Sequence, residues 1–149
     1  QIFDHHFVEF TYSDGSKMYS QCRHAPNCFN RQAEYAYGTK GRGPTRDKEG
    51  PVKYAFHPME QEHFALVDAI RNNKAHNEGN YGATSSFTAV LGRMATYSGN
   101  IVKWDDAVAK GKELAPGIAD YTMETAPPAQ RGEDGKYPVP MPGRYDPFA

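Results

Sequence analysis

The stretch that decides the fold is residues 2–24, which read IFDHHFVEFTYSDGSKMYSQCRH. Residues 2–12 and 17–24 are rich in aromatic and β-branched side chains, which favour β-strands. Between them Asp14 and Gly15 form an Asp-Gly pair, which tolerates the positive φ of a two-residue type I′ turn. The sequence therefore predicts an antiparallel β-hairpin.

A two-residue turn also fixes the register of the hairpin, because the residues on either side of the turn must pair. The predicted pairs are His5 with His24, Phe7 with Cys22 and Glu9 with Ser20 on one face, and Val8 with Gln21, Phe10 with Tyr19 and Tyr12 with Lys17 on the other. Both faces then carry apolar side chains. Helices of the same domain cover only one face, so the second face is expected to contact another domain or subunit.

Residues 32–37 and 52–57 are predicted as two further strands, separated by a charged loop at residues 42–50. The period of the apolar pattern changes after this point. Helical spacing predicts a helix over residues 60–73, with an apolar side formed by Phe64, Leu66, Val67 and Ile70.

A second, longer helix is predicted over residues 81–98. Its apolar residues recur at i, i+3, i+4, i+7 and i+10 and are Phe87, Val90, Leu91, Met94 and Tyr97. Gly99 is suited to end this helix, which we expect to supply the core. Residues 101–104 are expected to be extended, and Asp105 is expected to cap a short helix that ends near Lys110.

Residues 115–149 hold seven of the 11 prolines of the chain and four of its glycines. This composition predicts an irregular strap that packs on the domain formed by residues 1–114. The expected anchors of the strap are its aromatic residues Tyr121, Tyr137, Tyr145 and Phe148. The expected fold class is therefore α+β, with a mostly antiparallel sheet and helices packed on one of its faces.

The composition excludes several classes of function. The chain has 149 residues, of which 38% are hydrophobic and 23% charged, with a formal net charge of -1. This describes one globular domain, and its near-neutral charge disfavours binding to nucleic acid. The apolar runs are far shorter than the roughly 20 residues that span a bilayer. The sequence also lacks a G-x-G-x-x-G, P-loop, G-x-S-x-G or H-E-x-x-H motif.

Five cysteine and histidine residues form the only constellation that suggests a metal: His5, His6, Cys22, His24 and Cys28. Thiolate and imidazole are the ligands that zinc prefers, but the spacing is irregular. In the predicted register His5, Cys22 and His24 share a hairpin face, as side chains of paired strands do in any sheet. We therefore favour a packing role without stoichiometric zinc, and a Cys22–Cys28 disulfide stays an alternative for an oxidising compartment.

The loop at residues 23–31 follows the hairpin and is dense in hydrogen-bond donors. It could line a polyol pocket, because hydroxyl groups need paired donors and acceptors, with His24, Asn27 and Asn30 as the substrate-binding candidates. The alternative is a solvated connection that is held by asparagine turns. The sequence leaves both interpretations open.

Two further groups of titratable residues are interpreted as structural. Glu62 and His63 could act as acid and base, but a helix-dipole carboxylate beside a surface histidine is favoured. Asp105 and Asp106 are interpreted as capping carboxylates, because adjacent positions on a helix point in different directions. No catalytic residue is assigned in this chain.

Four stretches of the sequence together carry a resemblance to a known protein family. They are residues 3–30, AEYAYGTKG at 33–41, residues 60–108, and KYPVPMPG at 136–143. The most specific pieces are the EH-x3-V-x-AIR-x-N pattern that begins at Glu62, the Asn77-Glu78 break, and LGRMATYSG leading into VKWDDA. In this order and spacing the chain resembles the C-terminal half of Gfo/Idh/MocA family NAD(P)-dependent oxidoreductases, in the branch common among Planctomycetes and Bacteroidetes.

The resemblance implies a two-domain parent protein. Its N-terminal Rossmann domain would bind NAD or NADP, and its C-terminal α+β domain, of the glyceraldehyde-3-phosphate-dehydrogenase-like type, would form walls of the substrate pocket and subunit contacts. The dinucleotide glycines, the Glu-Lys-Pro motif and the catalytic Asp and His of the family would all precede Gln1. His5 and His6 stand in the strand after that motif and do not take the catalytic role. The chain alone is expected to bind no cofactor.

The leading hypothesis is therefore the substrate-binding and oligomerisation domain of a sugar or polyol oxidoreductase, which forms a homo-oligomer through its open sheet face. One alternative is a stand-alone binding or assembly module without catalytic activity, and another is a small Cys/His metal protein. A strand, G-x-G-x-x-G and helix encoded upstream of Gln1 would separate the first two, and metal analysis would identify the third. The sequence leaves the compartment of the parent open between the cytoplasm and, if an export signal precedes Gln1, the periplasm.

Overall fold

The computed structural model describes residues 3–44 and 57–148. These residues form four short strands, β1 (His5–Thr11), β2 (Lys17–Arg23), β3 (Tyr35–Gly38) and β4 (Gly41–Pro44), three helices, α1 (Pro58–Arg71), α2 (Gly79–Ser98) and α3 (Trp104–Lys110), and a 3-10 turn at Ile118–Asp120. The strands make two antiparallel two-stranded sheets. The α+β class is thus confirmed.

The chain divides into two compact units. The first combines residues 1–25 with residues 81–149, and the second is the stretch between them, residues 26–80. The β1–β2 hairpin, nearly all of α2, and α3 belong to the first unit. The β3–β4 hairpin and α1 belong to the second.

The predicted hairpin is present, but its predicted register is wrong by one residue. His5 lies opposite Arg23 rather than His24, and Phe7 lies opposite Gln21 rather than Cys22. The reason is the turn, which has three residues instead of two: the Tyr12 N–H donates to the Ser16 carbonyl, so residues 13–15 form the loop. Gly15 has a φ of 82°, as a three-residue loop with a left-handed glycine requires.

In the observed register, each face of the hairpin combines the side chains of β1 with a different set of β2 side chains from the predicted one. His6, Val8 and Phe10 now share a face with their partners Cys22, Ser20 and Met18. Along β1 the residues of this face are half-buried, while the alternate residues are exposed. The predicted grouping of Phe7 with Cys22 is therefore wrong, and Phe7 instead lies on the open face beside Tyr19.

Helix α2 supplies the core of the first unit, as the apolar stripe predicts. Leu91 and Met94 are buried with Ala107 of α3, and Phe10, Phe87 and Val102 pack against them. Gly99 follows the last residue of α2 with a φ of 70°, and its N–H donates to the Ala95 carbonyl. The predicted end of this helix is therefore confirmed.

Helix α3 begins two residues earlier than predicted and is not capped by Asp105. Its N-cap residue is Lys103, and no side chain caps the helix there. Asp105 and Asp106 both lie in the first turn, where their charge favours the positive end of the helix dipole. Asp106 also bonds Lys110 at 2.7 Å, one turn further on.

In the second unit α1 begins at Pro58 and ends at Arg71, two residues before each predicted bound. The His57 side chain accepts the Met59 N–H at 3.3 Å, and the Glu60 carboxylate accepts the His57 N–H at 3.0 Å. These two bonds close a capping box that the sequence analysis did not identify. The helical prediction is confirmed, although the apolar residues that supported it are largely exposed.

The β3–β4 hairpin differs from the predicted strands. The third strand, predicted at residues 32–37, begins three residues later and ends one residue later, at Tyr35–Gly38. Strand β4 occupies Gly41–Pro44, where the charged loop was expected to begin. The strand predicted at residues 52–57 lies outside the described residues except for His57. The Arg42 guanidinium lies 3.9 Å from the centre of the Tyr35 ring, so a cation–π contact joins the two strands.

The residues after α3 form the irregular strap that their prolines predict, with the 3-10 turn at Ile118–Asp120 as their one helical element in the described range. Tyr145 is half-buried and packs on Tyr97, and Pro147 is buried. Tyr137 is half exposed and carries Arg131 over its ring. Of the four expected anchors, Tyr145 therefore makes the clearest contact with the helical core. Within the described ranges, no helix has the length and apolarity needed to cross a membrane.

Candidate functional site

The cysteine and histidine residues of the predicted metal constellation are dispersed. In the observed register Cys22 lies opposite His6, so the expected shared face of His5, Cys22 and His24 is wrong. Both cysteines are free and exposed. Across the part of the chain that the structure describes, no three metal-ligating side chains come together. The predicted absence of stoichiometric zinc stays a prediction for metal analysis.

His5 and His6 have separate structural partners. The His5 Nδ1 atom lies 2.7 Å from the Asp4 carboxylate, and this hydrogen bond lowers the pKa of Asp4. The His6 Nε2 atom lies 3.2 Å from the Phe3 carbonyl oxygen, and its ring contacts the rings of Phe3 and Tyr97. Both histidines therefore help to hold the chain that enters β1.

The three substrate-binding candidates all lie in exposed backbone after β2. The His24 N–H donates to the Asp4 carbonyl and extends the hairpin ladder by one pair. Asn27 has a φ of 58°, a left-handed conformation that asparagine adopts readily in turns. Asn30 lies three residues further along, and all three side chains are exposed. His24 belongs to the first unit, whereas Asn27 and Asn30 belong to the second.

The Glu62–His63 pair lies on the exposed surface of α1. The Glu62 carboxylate and the His63 Nε2 atom are 3.9 Å apart, and both side chains are about three-quarters exposed. An exposed pair at that separation interacts weakly, because water screens the two charges. The exposure agrees with a surface histidine, but Glu62 lies beyond the first turn of α1, whose acidic residue is Glu60, so the helix-dipole role expected for Glu62 is wrong.

The first unit contains a groove of about 910 Å³, which we call the β1 groove. One wall is the run of residues 7–13 in β1 and its turn, and the other wall is the run of residues 99–104 after α2. The floor is one side of α2, formed by Thr88, Leu91, Ala95 and Thr96. The sequence analysis treated residues 101–104 only as an extended connection, so it missed this groove.

A second cavity of about 560 Å³ lies between α2, α3 and the strap. Met94, Trp104 and Ala107 line it together with Tyr145 and Pro147 of the strap. The Trp104 ring meets Phe87 edge-on, with the ring centres 4.8 Å apart. The cavity therefore has mostly apolar walls, and the C-terminal strap closes one side of it.

Tyr97 joins three separated parts of the first unit. Its side chain is only 2% exposed, and its hydroxyl accepts the Phe3 N–H at 2.8 Å. Its backbone carbonyl accepts the Gly143 N–H at 2.7 Å. Its ring meets Tyr145 edge-on at 5.9 Å and lies 4.5 Å from the Arg93 guanidinium. One side chain of α2 thus holds the chain before β1 and the end of the strap.

Two carboxylates are stabilised in their charged form along the hairpin. A hydrogen bond from Lys17 lowers the pKa of Glu9 and correspondingly raises the pKa of Lys17. The hydroxyl and backbone N–H of Ser16 both donate to the Asp14 carboxylate, which lowers the pKa of Asp14. These hydrogen bonds join Glu9 to Lys17 on the hairpin and hold the turn through Asp14 and Ser16.

Comparison of the chain with models of known protein families, with curated proteins and with solved structures found no match. The function must therefore be argued from the sequence motifs and from the geometry described above.

Proposed function

We propose that the chain is the substrate-binding and oligomerisation domain of a sugar or polyol oxidoreductase of the Gfo/Idh/MocA type, whose parent protein uses NAD or NADP. The observation that carries the proposal is the ordered set of four stretches, which runs from the hairpin at residues 3–30 to KYPVPMPG at 136–143. Each piece is short, but their order and spacing restrict the families that fit.

The open face of the β1–β2 hairpin supports the oligomerisation part of this proposal. Phe7 is 63% exposed and Tyr19 56% exposed, and their ring centres are 6.4 Å apart. Two adjacent aromatic rings in water are an unfavourable arrangement that association removes. A two-fold axis would pair this face with itself in a homo-oligomer, with no second protein needed.

The substrate-binding part of the proposal rests on the chemistry of the loop after β2. His24, Asn27 and Asn30 are exposed, so their imidazole and amide groups are available to hydroxyl groups of a sugar or polyol. Amide groups both donate and accept, which suits a hydroxyl that needs both. The cofactor would be bound by a nucleotide domain of the parent, because this sequence has no phosphate-binding glycine turn before a helix.

A stand-alone binding or assembly module is the second candidate, and the same exposed Phe7 and Tyr19 favour it. Such a module would use the aromatic face to bind a partner without any catalysis. The two candidates differ in what accompanies the chain: the oxidoreductase needs a nucleotide domain, and the module does not.

The test has two parts. In a fluorescence titration the 149-residue chain is expected to show no saturable NADH binding, and micromolar binding would contradict the assignment of the cofactor to another domain. In the parent protein, His24→Ala and Asn30→Ala are each expected to raise KM for the polyol substrate with little change in KM for the nucleotide, with the exposed Lys136→Ala as the control. An upstream sequence without a dinucleotide fingerprint would favour the stand-alone module.

A further inference from the structure

The outer edge of β1 has backbone groups that β2 does not use. The Tyr12 N–H donates to Ser16, and the His24 N–H donates to Asp4, so the hydrogen-bonded pairs of the hairpin involve even-numbered residues of β1. In an antiparallel pair the hydrogen-bonded and non-hydrogen-bonded pairs alternate. The N–H and carbonyl groups of Phe7, Glu9 and Thr11 therefore point away from β2. Within the described part of the chain, β2 is the only strand paired with β1.

The β1 groove runs along this free edge. Consecutive residues 7–13 line it, both those whose side chains face α2 and those on the open face, while no residue of β2 lines it. A depression over one face of the hairpin would instead touch alternate residues of both strands. The groove is therefore a slot between the edge of β1 and residues 99–104, with α2 as its floor.

The size of the slot matches one added strand. Seven residues of extended chain are roughly 23 Å long, and at a strand spacing of about 4.8 Å and a sheet thickness of about 10 Å they fill roughly 1,100 Å³. The groove measures about 910 Å³. A second copy of the hairpin would bring two strands and need about twice this space, so the wall at residues 99–104 favours a single strand.

The charged residues of the slot indicate which charge the added strand carries. Glu9 and Lys103 are the only charged residues among those lining the groove. Glu9 is already bonded to Lys17, and Asp106, whose pKa the charge of Lys103 helps to lower, is bonded to Lys110. The Lys103 ammonium is thus the charge of the slot that a ligand can neutralise, and it favours a carboxylate on the incoming strand.

We propose that the β1 groove binds one extended segment of a partner polypeptide, which adds a third strand at the free edge of β1. The segment pairs with the outward N–H and carbonyl groups of Phe7, Glu9 and Thr11, directs alternate apolar side chains onto Leu91 and Ala95, and places an acidic side chain near Lys103. This is β-strand addition, in which backbone bonds supply affinity and alternate side chains supply specificity. The site adjoins the aromatic open face through Phe7 and is separate from the loop after β2.

The proposal is tested on the full chain with a seven-residue capped peptide of alternating valine and threonine that carries one glutamate. In NMR titrations we expect saturable shifts at the amides of Phe7, Glu9 and Thr11, with the amides of β2 little changed. The control is a peptide of the same sequence with N-methylated backbone amides along one edge. It keeps all its side chains but loses the N–H donors on that edge. It is expected to bind at least about tenfold more weakly, because two or three hydrogen bonds are lost.

A charge reversal at Lys103 provides the second measurement. Lys103→Glu should weaken binding of the glutamate peptide about two- to fivefold and strengthen binding of a matched lysine peptide, as expected for one exposed charge pair. Because the Lys103 side chain does not cap α3, the variant should keep the fold. Lys136→Glu, a reversal in the strap outside the groove, is the control and should change neither affinity.

Three outcomes would overturn the proposal. One is the absence of saturable binding at millimolar peptide, and another is equal binding of the N-methylated peptide. The third is a dimer of the chain that the peptide dissociates, because a second copy would then occupy the edge of β1.

Discussion

Gly92 lies where α2 comes closest to the hairpin. A Cβ atom at this position would stand 3.0 Å from Cζ of Phe10 and 3.8 Å from a methyl group of Val8. The glycine therefore has a packing role in a helix interior, where it otherwise costs about 1 kcal/mol relative to alanine. Because glycine has no side chain, β1 can pack directly against the backbone of α2.

Gly92→Val is expected to destabilise the first unit by about 1 to 3 kcal/mol, because the added methyl groups must displace Phe10 or push β1 away. Urea denaturation, followed by circular dichroism, measures the change. Gly82→Val is the matched control, since nothing lies within 4 Å of a Cβ atom at Gly82 in the same helix. Equal effects in the two variants would show that packing against the hairpin does not govern the position.

Tyr97→Phe isolates the hydroxyl that accepts the Phe3 N–H. The variant keeps the ring contacts, so we expect a loss of about 1 kcal/mol in the free energy of unfolding from the missing bond. Tyr97→Ala should cost about 3 to 5 kcal/mol, because it also removes the buried ring. Tyr137→Phe, at a half-exposed ring, is the control. An unchanged stability of Tyr97→Phe would mean that water replaces the hydroxyl.

At the scale of the elements, the helices followed from the sequence more closely than the strands did. The stripe that ends at Tyr97 predicted α2 because its later members, Leu91, Met94 and Tyr97, are side chains that the fold buries, although Val90 is exposed. The register of the hairpin failed because it depends on one residue of loop length, and Asp14-Gly15 suits both a two-residue and a three-residue loop. Strand β4, at Gly41–Pro44, has no strand-forming side chains and is visible only through its backbone pairing.

The candidate site at the edge of β1 could likewise not be predicted from residue types. The edge groups of Phe7, Glu9 and Thr11 are backbone atoms, so no residue type marks them in the sequence. Their orientation depends on the register, which the sequence predicted wrongly. Lys103 was visible in the sequence, but its place in the slot depends on the path of residues 99–104 beside β1.

The charged contacts of the hairpin predict a dependence of its stability on pH. The bonded partners lower the pKa values of Asp14 and Glu9 below their ordinary values of 3.8 and 4.5. The stabilisation is therefore complete above those ordinary values and is lost as the pH falls through the lowered values of the folded chain. Amide chemical shifts of residues 12–17, followed from pH 6 to strong acid, should report loosening of the turn only below about pH 4.

Asp14→Asn provides the control for this prediction. The amide keeps an acceptor for the Ser16 N–H but does not titrate, so the acid transition at the turn should become smaller. An unchanged transition in Asp14→Asn would show that another group governs it.

For the whole molecule, the aromatic open face predicts self-association. We expect the chain to sediment as an oligomer at high concentration and Phe7→Lys to sediment as a monomer, because a charge then replaces the most exposed ring of the face. Thr11→Lys, on the same face of β1 but without loss of an aromatic ring, is the control and should still associate. A wild-type chain that stays monomeric at high concentration would contradict the oligomerisation role.

The contacts of Tyr97 also constrain the order in which the molecule is made. Phe3 and Tyr97 are separated by 94 positions, and the second unit is encoded between the two halves of the first. Strand β2 ends at Arg23 and α2 ends at Ser98, so at a synthesis rate of about 5 to 20 residues per second the finished hairpin waits roughly 4 to 15 s before α2 is complete. During that interval the side of β1 that carries Val8 and Phe10 has no helix to cover it. Chaperones that bind short apolar strands would therefore bind this side of β1 in the nascent chain before α2 packs against it.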